Sequence, residues 1–162
     1  TLGKNKAEVM AARALDIDPA GSYTDYPLFF DQKTRDVFDF SRYSYVADCI
    51  DDVEAKALLL TCVREKNTPV ISCMGAGNKL DGSAFRVADL EKTRECPLAR
   101  IMRRKMKEAG VTGVRAVYSE EKPLSPDRAL AAEGERLIGS LSFVPSAAGL
   151  LLAGEIVKSL IQ

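Results

Sequence analysis

Val46-Ala47-Asp48-Cys49-Ile50-Asp51-Asp52 is the stretch that decides how this chain folds. An apolar run over residues 45–50 passes straight into carboxylates and then into a helical pattern over 53–66. Near-continuous apolar character is expected of a parallel strand covered on both faces. Open α/β sheets place their ligand chemistry at the carboxyl ends of such strands. Asp48, Asp51 and Asp52 then have two readings. One is a magnesium–nucleotide site, because Mg2+ is commonly held by one or two carboxylates plus phosphate oxygens. The other is capping of the next helix by Asp51 or Asp52, with Asp48 merely exposed at the strand end.

Working outward, residues 5–17 read as a helix with Val9, Met10, Leu15 and Ile17 on its apolar side, ended by Pro19 and Gly21. Residues 22–30 read as a strand that Pro27 confines to a sheet edge. Residues 32–40 read as a short helix with Val37 and Phe40 inward. On the other side, Asn67 closes the helix over 53–66, and residues 69–73 form a second buried strand. A Gly75-Ala76-Gly77 loop follows. Residues 85–90 read as a strand after the Asp81-Gly82 turn. Residues 98–109 form a basic helix stopped by Gly110. A strand over 114–119, a loop over 122–136 and a strand over 138–144 come next. Pro145 is placed as the first residue of a last helix running to 161. The β-α-β-α-β order predicts a Rossmann-like α/β fold, a mostly parallel sheet with flanking helices. Residues 85–136 are more irregular and read as an insertion facing a substrate.

Composition narrows the chemistry. The chain has 162 residues, 46% apolar and 28% charged, with a formal net charge of zero. It reads as one globular domain with no global pull toward nucleic acid or membrane. Histidine is absent, which removes Ser–His and Cys–His nucleophile pairs and histidine metal ligands. Cys49, Cys62, Cys73 and Cys96 form no C-x-x-C pair, so zinc spacing is absent and reduced thiols in a cytoplasmic protein are expected. The apolar stretch over 137–161 is broken by Pro145 and carries Glu155 and Lys158, which argues against a membrane span.

Three further constellations carry candidate chemistry. Lys6 falls in the first turn of the helix at 5–17, where a helix N-terminus and a lysine together attract phosphate; a solvated lysine is the plainer reading. The loop Cys73-Met74-Gly75-Ala76-Gly77-Asn78-Lys79 follows a buried strand, and its glycines permit close backbone approach to a ligand. It matches neither the dinucleotide nor the P-loop pattern, and Cys73 is better read as a structural thiol than as a nucleophile. Arg100, Arg103, Arg104 and Lys107 fall at i, i+3, i+4 and i+7, one stripe that suits a phosphate backbone or simply faces solvent.

Taken together, Leu2-Gly3-Lys4-Asn5-Lys6-Ala7-Glu8-Val9-Met10, Asp48-Cys49-Ile50-Asp51-Asp52 and Pro69-Val70-Ile71-Ser72 resemble the ubiquitin-activating-enzyme-like superfamily of ATP-dependent adenylating enzymes, the ThiF/MoeB/HesA type. Residues 74–81, residues 87–93, Cys96-Pro97-Leu98-Ala99-Arg100, and Phe143-Val144-Pro145 followed by Ala147-Ala148-Gly149 resemble its tRNA threonylcarbamoyladenosine dehydratase branch. The resemblance implies use of ATP and Mg2+ to adenylate the carboxylate of threonylcarbamoyladenosine 37 in tRNA. AMP then leaves as the group closes into a cyclic form. It implies that Lys6 contacts ATP phosphates, and that Asp51, as catalytic and metal-side residue, lies with Asp52 at the nucleotide. Arg100, Arg103, Arg104 and Lys107 would meet tRNA. A homodimer is implied, and sulfur-transfer proteins are a candidate partner class.

The family's opening strand, glycine-rich nucleotide loop and arginines have no counterpart within residues 1–162. The expectation is therefore the C-terminal two-thirds of a single adenylating domain, inactive without the rest. Two rival expectations stand beside it. One is an adenylyltransferase for the C-terminus of a ubiquitin-like sulfur carrier, and the other is a non-catalytic binding or dimerisation module.

Overall fold

A computed structural model describes residues 2–124 and 137–162. Helix α1 (Lys6–Ile17) starts at Asn5, whose Oδ1 accepts the Ala7 N–H at 2.9 Å. It buries none of its residues, and Met10, Leu15 and Ile17 stand exposed. Strand β1 (Val46–Asp48) leads into helix α2 (Val53–Glu65), and strand β2 (Val70–Cys73) follows. Then come strand β3 (Phe85–Asp89), helix α3 (Pro97–Glu108), strand β4 (Arg115–Ser119) and helix α4 (Phe143–Leu160).

The sheet order is β1-β2-β4-β3. β1, β2 and β4 run parallel, and β3 pairs antiparallel with β4. This is the expected α/β architecture. Side-chain alternation sorts the strands between two layers. Val70, Ala116 and Tyr118 face α2 and α3, where Leu60, Val63, Ala99 and Met102 are buried. Ile71 and Val117 face the opposite side, where α4 lays down Val144, Ala148 and Leu152. Each fully buried aliphatic side chain contributes roughly 1.5–3 kcal/mol. Met102 and Met106, four residues apart, both point into the core. α4 has the length and apolar character of a membrane span, yet it lies along the sheet.

Helix ends follow their sequence signals. Asn67 closes α2 with a left-handed φ of 56°, and the Thr68 N–H returns to the Val63 carbonyl at 3.3 Å. Gly110 does the same after α3 with φ 66°, and the Val111 N–H returns to Met106 at 2.8 Å.

Several expectations need correction. Residues 22–30 form no strand. They are largely exposed, Pro27 offers no donor, and the Leu28 N–H bonds locally to the Tyr26 carbonyl. The helix expected over 32–40 is reduced to 3-10 turns at Arg35–Val37 and Phe40–Arg42. Asp31 Oδ1 takes the N–H groups of Lys33 and Thr34, and Asp39 Oδ1 takes that of Ser41. Such side-chain acceptors compete with a helical ladder. Of the two residues expected inward, Phe40 is buried and Val37 is exposed. The strand expected over 138–144 is absent. Gly139 is bonded to Asn78 instead of a strand, and α4 already begins at Phe143. Pro145 is the third residue of that helix, still among the first four positions whose N–H groups lack an intrahelical partner. Residues 85–119, expected to begin an insertion, supply β3, α3 and β4 to the sheet and its cover. The part of the expected loop at 125–136 lies outside the described residues.

Candidate functional site at the strand ends

The carboxyl ends of β1, β2 and β4 share one edge of the sheet, and everything the sequence marked as acidic or glycine-rich leaves from there. Asp48 is the first surprise. It is fully buried, contrary to the exposed strand-end reading. Its Oδ2 accepts Lys56 Nζ at 2.7 Å and Ser72 Oγ at 2.5 Å, while Oδ1 accepts the Ile50 N–H at 3.0 Å. Lys56, equally buried, also donates to Ser72 Oγ at 3.2 Å and to the Cys73 carbonyl at 3.0 Å. The ammonium's three protons and the carboxylate are thereby matched, as burial of charge demands.

Asp51 and Asp52 part company. Asp52 caps α2: its Oδ1 accepts the Ala55 N–H at 2.8 Å. Asp51 is exposed, and among the described residues no hydrogen bond or ion pair engages its carboxylate. Capping thus explains Asp52 and leaves Asp51 available. Among the described residues no three Cys, Asp or Glu side chains converge as a metal cage. A protein commonly contributes one or two carboxylates to Mg2+ when phosphate oxygens supply its other ligands, and Asp51 has its carboxylate exposed at this strand end.

The loop after β2 is held by its own polar atoms. Asn78 adopts φ 57° and bonds on two sides. Its carbonyl accepts the Leu124 N–H at 2.7 Å, its own N–H reaches the Gly139 carbonyl at 2.7 Å, and its side chain joins Leu137 and Gly139. Gly77 leaves room for Ile138, since a Cβ there would come within 2.4 Å of Ile138 Cγ2 and force that side chain to shift. Lys79 is buried and donates to the Glu121 carbonyl, and burial lowers its pKa. The Glu121 carboxylate accepts the N–H groups of Leu80 and Asp81 at 2.9 and 3.0 Å. A cavity of about 440 Å³ opens beside this loop, lined mainly by Leu80, Leu124, Leu137, Ile138 and Leu141.

Neither Cys73 nor Cys49 sits in surroundings that activate a thiol. Burial pushes the Cys73 thiol up to about 11, and burial, with the Asp48 carboxylate next, raises Cys49. A thiolate is the reactive form, so both resting thiols are protonated near neutral pH.

Lys6 is the exposed first residue of α1. The basic stripe on α3 divides. Arg100 and Lys107 are exposed, and Arg104 is exposed with Glu108 3.7 Å away. Arg103 is half-buried, and its guanidinium donates to the Thr93 carbonyl at 2.7 Å and to Thr93 Oγ1 at 2.5 Å. Lys56 went unnoticed in the sequence. The signal was present: Ala55, Leu59, Leu60 and Val63 define the buried face of α2, and Lys56 lies on it. A lysine there demands a buried acceptor.

Comparison with known proteins follows the same lines. The ThiF family model matches residues 1–162. A tRNA threonylcarbamoyladenosine dehydratase from Bacillus subtilis is 32% identical over 173 aligned residues, covering 100% of this chain and 68% of that protein. The enzyme of that name from Escherichia coli is 35% identical over 133 residues, covering 77% of this chain and 50% of that protein. Among solved structures, the Escherichia coli enzyme in complex with AMP superimposes with a TM-score of 0.85 at 30% identity, over 98% of this chain and 65% of that one. Its complex with ATP gives a TM-score of 0.81 at 31% identity, over 99% and 67%. The chain thus spans about two thirds of the length of these structures.

Proposed function

The chain belongs to the ThiF family, in its tRNA threonylcarbamoyladenosine dehydratase branch, and from that premise we propose that it is the C-terminal two-thirds of a single domain that dehydrates threonylcarbamoyladenosine 37 of tRNA at the expense of ATP. The observation that carries the reading is Asp51. It is the strand-end carboxylate with no internal partner among the described residues, whereas Asp48 is paired with Lys56 and Ser72 and Asp52 commits one oxygen to capping α2. The related Escherichia coli enzyme has been captured with ATP and with AMP; in an adenylation followed by ring closure, ATP is the nucleotide consumed and AMP the one released.

In this reading the threonylcarbamoyl carboxylate attacks the α-phosphorus of ATP, and pyrophosphate leaves. The activated carbonyl is then closed on from within the same group, and AMP leaves with the oxygen that dehydration removes. Two anions must meet, so cations have to offset both. Mg2+, when bound, would supply Lewis-acid neutralisation of the phosphates. Asp51 would hold it, Asp52 would keep α2 and its capped first turn in place beside the nucleotide, and Lys6 would address a phosphate from the head of α1.

Arg100, Arg104 and Lys107 are the α3 residues offered to tRNA phosphates, with Arg103 supporting the turn at Thr93. The exposed apolar residues Phe143, Leu150, Val157 and Leu160 of α4 support a homodimer through that helix. A cytoplasmic site of action accords with free thiols and a tRNA substrate. The test is ATP–pyrophosphate exchange by the natural full-length protein. Exchange that needs threonylcarbamoylated tRNA, and that Asp51→Asn abolishes, supports the reading; exchange driven instead by a small carrier protein refutes it.

A further inference from the structure

Resting on the adenylation reading, we propose that Lys56 is a positioning residue, setting the nucleotide-facing acidic turn and the loop after β2 in fixed relation to each other. One buried ammonium reaches three acceptors on two strand ends: Asp48 Oδ2, Ser72 Oγ and the Cys73 carbonyl. Asp48 passes the constraint on, because its other oxygen holds the Ile50 N–H and so fixes the turn that delivers Asp51. Lys56 also belongs to the first turn of α2, where its own N–H bonds the carbonyl of the capping residue Asp52 at 2.9 Å. The Cys73 carbonyl marks the point where the loop carrying Gly75, Gly77 and Asn78 departs from β2. The ammonium therefore ties together the end of β1, the end of β2 and the head of α2.

Stability alone does not account for such a device. Replacing a buried ion pair by apolar groups of similar volume is often neutral or stabilising. What the pair provides is direction: three hydrogen bonds of defined geometry in place of an adaptable apolar contact. Direction is what this site needs, since capture of Mg-ATP depends on where the acidic turn holds the Asp51 carboxylate. Lys56 meets no solvent, so it acts through Asp48 and the Cys73 carbonyl.

The test compares wild type, Asp48→Asn/Lys56→Met and Ser72→Ala in the natural full-length protein, reading KM separately for Mg-ATP and for threonylcarbamoylated tRNA in the exchange assay. Positioning predicts that the double variant raises KM for Mg-ATP about tenfold and leaves KM for tRNA within about twofold. Ser72→Ala, which keeps both charges, should raise KM for Mg-ATP about threefold. A merely structural role lowers the active fraction, which reduces kcat with both KM values unchanged, and that result overturns the inference. If the double variant does not fold, Ser72→Ala decides by the same criterion. Wild-type protein without tRNA-dependent exchange overturns the adenylation reading and this inference with it. Wild-type exchange with an unshifted Mg-ATP KM in the variants overturns the inference alone.

Discussion

Lys56 Nζ lies 2.7 Å from Asp48 Oδ2, and neither side chain has any exposed surface. Removing one partner leaves an unpaired charge in the interior. Lys56→Met alone should therefore cost about 3–5 kcal/mol, whereas adding Asp48→Asn should recover most of that loss. Urea denaturation of the single and double variants measures the difference. A single variant with the wild-type midpoint would refute the pairing.

Asp51 and Asp52 should separate cleanly into function and stability. Asp52→Ala removes the acceptor for the Ala55 N–H and should cost about 0.5–2 kcal/mol. Asp51→Ala should change stability by no more than about 0.5 kcal/mol, since it is exposed and caps nothing. It should nevertheless abolish nucleotide-dependent exchange. Thermal melts beside activity assays read both effects, and equal loss of stability in the two variants would contradict the assignment.

The parts of this fold legible in the sequence are those where local pattern and tertiary demand agree. β1, β2 and β4 are short apolar runs, and α2 and α3 carry both periodicity and clear stop signals at Asn67 and Gly110. The helix expected over 32–40 gives way because aspartate side chains at 31 and 39 capture the backbone donors that a helix would use, and the strand expected over 22–30 gives way to a local bond from the Leu28 N–H to the Tyr26 carbonyl beside Pro27. Residues 138–141 carry strand-like composition, but their backbone is claimed by Asn78, sixty residues away in sequence and invisible to a local pattern. The acidic turn is legible in the sequence as a candidate site, but the different surroundings of its three aspartates are not. Those surroundings depend on Lys56 and Ser72 meeting Asp48 across two strands.

Cys73 carries a pH signature. Burial raises its thiol from the usual 9.0 to about 11. A group whose folded pKa is raised lends stability that is fully present below the unfolded pKa and fades as pH climbs through the folded one. The window is therefore about pH 9 to 11, and the loss across it is on the order of 2–3 kcal/mol. Tyr45 and Tyr118 are also raised by burial and act in the same direction. Comparing wild type with Cys73→Ala isolates the thiol: the wild-type advantage should shrink between these pH values, and a constant difference would count against it.

Asn78 should matter through its side chain and its φ together. Asn78→Ala loses the bonds to Leu137 and Gly139 and leaves at φ 57° a residue without the polar side chain that lets asparagine tolerate that conformation, a cost of about 2–3 kcal/mol. Asn78→Gly relieves the backbone and should cost less. In both, hydrogen exchange at the Gly139 amide should accelerate, while the Leu124 amide, bonded to the residue 78 carbonyl, keeps its protection. Retained protection at Gly139 would show that its amide does not depend on the asparagine.

Four basic residues on α3 look equivalent in sequence, and their surroundings make them unequal. Arg103 spends its guanidinium on Thr93, whose own hydroxyl donates to the Leu90 carbonyl at 2.7 Å. Truncating Arg103 removes two charge-assisted bonds and should destabilise the protein by about 1.5–3 kcal/mol. Arg100→Ala and Lys107→Ala should leave stability within about 0.5 kcal/mol. Each phosphate contact they make with tRNA releases counterions, so each substitution should weaken binding and flatten the salt dependence by a slope of about 0.7–0.9. Fluorescence-anisotropy titrations of tRNA across a salt series measure that slope. If Arg103→Ala flattens it as strongly as Arg100→Ala at equal folded fraction, then Arg103 faces the tRNA and its bonds to Thr93 give way on binding.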